Sequence, residues 1–248
     1  MASAGAPERR RPRVLLGLSG SVACVKAEQL VAALSRFADV RVVATPAALR
    51  FLDPPPAPDA ATPPRRDLAG APLLTDATEW AAWRAVGDTV VHIALRRWAD
   101  VLLIAPLSAN SLAKLAGGLC DNLLTCVARA WDYGKPVLVA PAMNTAMWTS
   151  PFTGRHLAVL ADLGVRVVQP VAKRCVLPGA ARGALAQAAL TIVLDACRLA
   201  CGDVGMGAMA EVADLAAAVA DVAAALELRC GGDDDGASAA AELDALLA

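Results

Sequence analysis

Short, continuously apolar runs alternate along this chain with longer stretches whose apolar positions recur every three to four residues. Val14–Leu18, Val101–Ile104 and Pro136–Ala140 are apolar runs of strand length, and Val40–Ala44 and Val165–Gln169 are mainly apolar ones interrupted by Arg41, Arg166 and Gln169. Their lack of polar alternation is what strands buried on both faces show. After Gly20-Ser21, the residues Val22, Val25, Leu30, Ala33, Leu34 and Phe37 share one helical face. Thr45-Pro46 marks a further helix start. His92–Asp100, Ser108–Ala116, Asp121–Trp131 and Phe152–Leu163 have helical spacing, and Trp80–Val86 reads as a short helix or turn. The alternation predicts the α/β class: a doubly wound parallel sheet with helices on both faces, in three layers. Six prolines between Asp53 and Asp67 are too many for a helix or sheet interior, so this is a surface loop. The pattern spans 13–229 as one domain. Residues 1–12 read as disordered, and 230–248, with the acidic run Asp233–Asp235, reads as a disordered or frayed tail.

Composition narrows the function classes. The chain is 248 residues long, 57% hydrophobic but only 4% aromatic, as tightly packed, alanine-filled α/β layers require. Its 23 basic and 24 acidic residues nearly cancel, so bulk charge predicts no nucleic-acid or membrane partner. Seven cysteines at irregular spacing and two histidines, His92 and His156, argue against a disulfide scaffold and against a metal site. The basic start lacks a following apolar segment of signal-peptide type, and a cytoplasmic location is expected.

Candidate chemistry gathers where strands end. Val101–Ile104 runs into Ala105-Pro106-Leu107-Ser108-Ala109-Asn110-Ser111, which opens a helix. In an open α/β sheet, ligands sit at such carboxyl ends. The loop offers hydroxyls, a carboxamide and helix N-terminal N–H groups, without a carboxylate or a glycine-rich phosphate fingerprint. That set suits a planar, hydrogen-bonding ligand such as a flavin ring. Gly17-Leu18-Ser19-Gly20-Ser21-Val22-Ala23 lacks the dinucleotide fingerprint, the nucleophile elbow and the Gly-Lys-Ser/Thr motif. It remains either a tight turn or a generic seat for one phosphate. His92 is the natural acid/base candidate, although a histidine at a helix start is often only a cap. Arg96 and Arg97 could bind an anion or pair with Asp100. Pro141-Ala142-Met143-Asn144 brings a second carboxamide to the same sheet edge, as a ligand or as a helix cap. Three glycines close to Cys201, in the segment Leu199–Glu211, suit a mobile flap, or a loop with an incidental cysteine.

These segments, in this order, resemble the homo-oligomeric flavin-containing cysteine decarboxylase family, plant members most closely. The resemblance covers about Arg13–Gln169 and resumes from Leu199 to about Glu211. It implies a flavodoxin-like, Rossmann-like fold, the cofactor FMN, and a homotrimer with sites at subunit interfaces. The implied reaction is decarboxylation of the small molecule phosphopantothenoylcysteine in coenzyme A synthesis. On that analogy Gly20, Ser21, Val22 and Ala23 surround the FMN phosphate, and Ser108, Ala109, Asn110 and Ser111 meet the flavin. Thr45 and Ala142 complete the cofactor set. Asn144 would hold the substrate carboxylate, with Met143, Arg97, Lys173 and Arg174 as further substrate contacts. His92 would be the acid/base residue and Cys201 the proton donor of a closing flap. The chemistry makes sense of the cofactor: a cysteinyl carboxylate has no electron sink, and oxidation of its thiol by the flavin creates one.

Two departures stand out. Pro46-Ala47-Ala48 follow Thr45 where the family has hydroxyl residues. Residues 175–198 separate Lys173-Arg174 from Leu199, where the family has none. This insert reads as an extra helix or a translated intron; its apolar run, Ala184–Cys197, is shorter than the roughly 20 residues that span a bilayer. Two other functions share the core. Halotolerance-type flavoproteins act as phosphatase regulatory subunits through an acidic tail, of which this chain has one short run. Peptidyl-cysteine decarboxylases lack the flap cysteine that Cys201 would provide.

Overall fold

The computed structural model describes residues 10–52, 65–170, 207–226 and 234–247. Lys173, Arg174, Cys201 and the insert 175–198 lie outside the described residues. Seven strands form one sheet: β1 (Arg13–Leu18), β2 (Asp39–Ala44), β3 (Asp67–Leu68), β4 (Ala71–Leu74), β5 (Val101–Leu107), β6 (Val137–Pro141) and β7 (Arg166–Val167). Their spatial order is β3-β4-β2-β1-β5-β6-β7. All neighbours are parallel except β3 and β4. The chain therefore winds outward from β1 through β2 to β4, then returns to β5 and winds the other way. The reversal puts a crevice at the carboxyl ends of β1 and β5, where open α/β sheets hold ligands.

The apolar runs explain the two cores. Successive residues of a strand point to opposite faces, so Val14, Leu16 and Leu18 enter one layer while Leu15 enters the other. The first layer is closed by α1 (Ala27–Leu34) and α9 (Val212–Ala224), through Leu30, Val31, Leu34, Leu215 and Val219. The second is closed by α4 (Val91–Trp98), α6 (Leu123–Arg129) and α8 (Pro151–Asp162), through Leu95, Trp98, Val127 and Leu160. The remaining helices are α2 (Pro46–Leu52), α3 (Asp76–Ala82), α5 (Ala109–Gly117), α7 (Thr145–Trp148) and α10 (Asp234–Leu247). Among the described residues no helix is long and apolar enough to cross a membrane.

Several boundaries differ from the sequence expectation. The first connection begins as a 3-10 turn, Val22–Lys26, before α1 starts. The expected turn or helix at Trp80–Val86 lies earlier, as α3, because Thr75 and Thr78 form a reciprocal capping box at its start. The β3–β4 hairpin was not legible in strands of two and four residues.

The tail reading needs the largest correction. Residues 234–247 form α10, whose Ala239 and Leu243 are buried in the second core. An acidic first turn is favourable at a helix N-terminus, so the acidic run opens a helix there. Arg41 on β2 lies beneath this helix, its guanidinium carbon 4.6 Å from the centre of the Trp98 ring. It pairs with Asp244 and donates to the Ala240 carbonyl at 3.3 Å. Burial pulls the Arg41 pKa down, and the Asp244 charge opposes that shift.

Residues 10–12 are likewise ordered against the domain. Arg10 grips both oxygens of Asp100 at 2.7 Å, and the Arg13 backbone N–H donates to the same carboxylate at 2.8 Å. Asp100 is thus engaged by Arg10 and Arg13, not by Arg96 or Arg97.

Candidate functional site

A cavity of about 550 Å³ occupies the crevice at the carboxyl ends of β1, β2, β5 and β6. Ser19, wholly buried at the end of β1, ties two of its walls together. Its hydroxyl donates to the Pro106 carbonyl at 2.9 Å and accepts from the Ser108 backbone N–H at 2.7 Å. Its own carbonyl accepts the Cys24 thiol at 3.3 Å. Burial pushes that thiol up to about 11. Gly20 is required by close approach, since a Cβ there would stand 2.6 Å from the Ala47 Cβ. Ser21 then caps the 3-10 turn by accepting from the Ala23 N–H at 3.4 Å. Thr45 caps α2 in the same way, accepting from the Ala48 N–H at 3.2 Å.

The β5 wall is built by Ser108, which caps α5 by accepting from the Ser111 N–H at 3.3 Å. Its hydroxyl also donates to the Ser111 hydroxyl at 3.3 Å. Asn110, one position into α5, lines the cavity, and its carboxamide makes no hydrogen bond among the described residues. The β6 wall carries Ala142 and Met143. The Met143 N–H donates to the Gly207 carbonyl at 3.0 Å. Gly207 has φ +121°, and a Cβ there would collide with the Met143 carbonyl. The segment returning after residue 206 therefore lies directly on the loop that precedes Asn144.

The cavity brings together most of the expected cofactor set. Gly20, Ser21, Val22 and Thr45 line it from the first half of the sheet. Ser108, Ala109, Asn110, Ser111 and Ala142 line it from the second. Ala23 is not among the lining residues; its contribution is the N–H given to Ser21. Of the substrate set, Met143 lines the cavity. Asn144 follows it as the N-cap of α7, with Oδ1 accepting from the Met147 N–H at 2.8 Å. That bond commits the carbonyl end and leaves Nδ2 as a donor. Arg97 and His92 lie on α4, and neither lines the cavity. The His92 ring meets Glu79 of α3, Nδ1 to Oε1 at 2.5 Å.

Sequence reasoning missed part of the wall. Lys114 and Asp121 line it as an ion pair of 2.6 Å, and the lysine hydrogen bond holds the Asp121 carboxyl below its usual range. Asp76 also lines the cavity while accepting the Leu123 N–H at 2.8 Å. Asn122 completes that side as the N-cap of α6. Asn122 at a helix start was a readable signal. Asp76, 47 residues away in the chain from the N–H it accepts, left none.

Comparison with known proteins agrees with this fold. A family model described as flavoprotein matches residues 3–224. A probable phosphopantothenoylcysteine decarboxylase of Arabidopsis thaliana is 50% identical over 202 residues, 82% of this chain and 84% of that protein. One solved structure is a cysteine-to-serine mutant of a PPC decarboxylase complexed with pantothenoylaminoethenethiol. It superposes with a TM-score of 0.68 at 48% identity, covering 85% of this chain and 97% of the other. The FMN-binding protein AtHal3 gives a TM-score of 0.66 at 47% identity, covering 85% and 96%.

Proposed function

We propose, from the premise that this chain belongs to the flavoprotein family, that it is an FMN-dependent decarboxylase. Its substrate is 4'-phosphopantothenoylcysteine and its product 4'-phosphopantetheine, a step of coenzyme A synthesis. The observation that carries this reading is the cavity at the sheet's switch point, lined by Ser21, Thr45, Ser108, Asn110 and Ser111. Its volume of about 550 Å³ suits one mononucleotide with a small substrate beside it. The donors fit FMN: hydroxyls and an unengaged carboxamide for the ring edge, and the Ser21 turn for the phosphate. FMN held there would supply the oxidation of the cysteinyl thiol that provides an electron sink for loss of CO₂, and the hydride that restores the saturated product.

The chain's own residues bind, orient and move protons. Asn144 donates Nδ2 to the substrate carboxylate while its Oδ1 stays committed to the helix cap. His92 exchanges protons as the general acid/base. Cys201, outside the described residues, would donate the proton to the substrate carbon, and with the hydride returned the reaction is redox-neutral overall. Lys173, Arg174 and Arg97 supply further positive charge for the substrate.

His92 stands outside the cavity of its own chain, which supports a homotrimer in which it serves a neighbour's cavity. In the segment leading to it, Trp80, Trp83, Val86 and Val90 are exposed, apolar surface of the kind that marks an interface. The free thiols of Cys24, Cys120 and Cys126 support the reducing cytoplasm as its location.

The test is to purify the protein, record its visible spectrum and give it phosphopantothenoylcysteine. A yellow protein that releases CO₂ and forms the saturated thiol 4'-phosphopantetheine is expected. A product two hydrogens lighter would assign it instead to chemistry of the peptidyl-cysteine decarboxylase type. A folded protein that stays colourless after FMN titration would overturn the cofactor.

A further inference from the structure

We infer that Glu79 is the positioning residue of His92: it fixes which ring nitrogen exchanges protons and faces the ring with the charge that stabilises it once protonated. The inference rests on His92 being the acid/base residue of the reaction above, and it assigns a role to a residue of another helix.

The geometry is specific. Glu79 Oε1 lies 2.5 Å from His92 Nδ1 and 3.3 Å from the His92 backbone nitrogen. One carboxylate oxygen thus receives both the ring and the main chain of the same residue. Both side chains are largely sheltered, with 27% of His92 and 16% of Glu79 exposed, so solvent screens the pair only partly. A carboxylate can only accept, so in the neutral ring Nδ1 carries the proton. Nε2 is then left with the lone pair and becomes the atom that takes and returns a proton. A carboxylate behind an imidazole does this in other acid/base sites, holding the tautomer and stabilising the imidazolium.

The surrounding helices keep Glu79 in place. Its helix, α3, starts at the Thr75–Thr78 capping box. One turn before Glu79, Asp76 accepts the Leu123 N–H at the start of α6 and lines the cavity. The cap residue of α4, Val90, gives no side-chain hydrogen bond, so Glu79 also serves the open start of that helix from outside. A further titratable neighbour is Cys126 of α6. Its thiol is pushed up to about 11 by burial and then by the charges of Glu79, Cys120 and Asp76. It stays neutral and does not compete for the carboxylate.

Because Glu79 also caps α4, the test must separate orientation from stability. Glu79→Gln keeps an acceptor oxygen and the side-chain volume but removes the charge. The expected result is an unchanged melting temperature and flavin spectrum, a KM within about twofold, and a kcat lower by about 10- to 100-fold. Nitrogen-15 NMR supplies a readout independent of turnover. With only two histidines in the chain, His156→Gln assigns the spectrum. At a pH where the ring is neutral, His92 should show the Nδ1–H tautomer in the full-length protein, and Glu79→Leu should shift it toward Nε2–H. A wild-type kcat in Glu79→Gln, or an Nε2–H tautomer in the unaltered protein, would overturn the inference. Absence of CO₂ release by the unaltered protein would instead sink the decarboxylase reading and leave the tautomer result standing on its own.

Discussion

At the scale of single residues, the site uses side chains that do two things at once. Asn144 shows how a structural and a functional role can be separated. Its Oδ1 caps α7, and any capping carboxylate could replace that bond, because Asp and Asn cap about equally well. Its Nδ2 is the part that a substrate carboxylate would need. Asn144→Asp should therefore fold normally and keep the flavin. Its turnover should fall by at least about 100-fold, since a donor is lost and a like charge is set beside the substrate carboxylate. Steady-state CO₂ release alongside a melting curve checks this, and near-normal turnover would reduce Asn144 to a cap. Residues of this kind were legible where the function sits within a local motif. Ser108, Asn110 and Asn144 stand at strand ends followed by helix starts, so strand pattern and capping chemistry both point to them. Ser19 and Glu79 were not legible. Ser19 works by joining residues 87 and 89 positions away, and Glu79 meets a helix 13 positions on; neither bond leaves a trace in local spacing.

Among the elements, the five strand-length runs were readable because burial on both faces keeps most polar residues out of the central strands. The fifth run, Val165–Gln169, holds β7 only over Arg166–Val167, and the short strands β3 and β4 were not legible, since so few residues carry no period. Helix α10 failed for a different reason. Alanine-rich faces give a weak apolar signal, and an acidic run reads alike in a solvated tail and in a helix first turn. What distinguishes them is tertiary: Leu243 is fully buried and Asp244 reaches the buried Arg41. Leu243→Ala should therefore destabilise the protein by about 2–5 kcal/mol, the usual cost of emptying a core leucine site. Urea denaturation followed by circular dichroism measures it. A frayed tail would give a difference near zero, because no core would surround the leucine. The flavin spectrum at low denaturant should be unaffected, since α10 packs on α4 and β2 and none of its residues lines the cavity.

For the whole molecule, the sheet's winding order decides where the chemistry can be. The reversal between β1 and β5 opens the crevice, and the loops after β1, β2, β5 and β6 furnish it. The α3–α4 region is held to this framework by Asp76 and Glu79, yet His92 does not line the cavity. In the segment leading to it, Trp80 and Val86 are 73% and 98% exposed, and an isolated chain would leave that apolar surface in water. A second copy seated there would cover that surface and bring His92 to a foreign cavity in one step. Complementation tests this directly. His92→Asn keeps an intact cavity but lacks the acid/base group, whereas Asn144→Asp keeps His92 but has a damaged cavity. Each variant alone should be nearly inactive. Coexpressed with different affinity tags and purified as mixed oligomers, they should regain activity, because some sites pair an intact cavity with an intact His92. Every mixed cyclic trimer, two-to-one or one-to-two, has one such site among its three, so mixed preparations should approach about a third of the unaltered rate. Activity no higher than that of the parents would mean that each cavity draws on the histidine of its own chain, and closure within one chain would then have to carry His92 to the substrate.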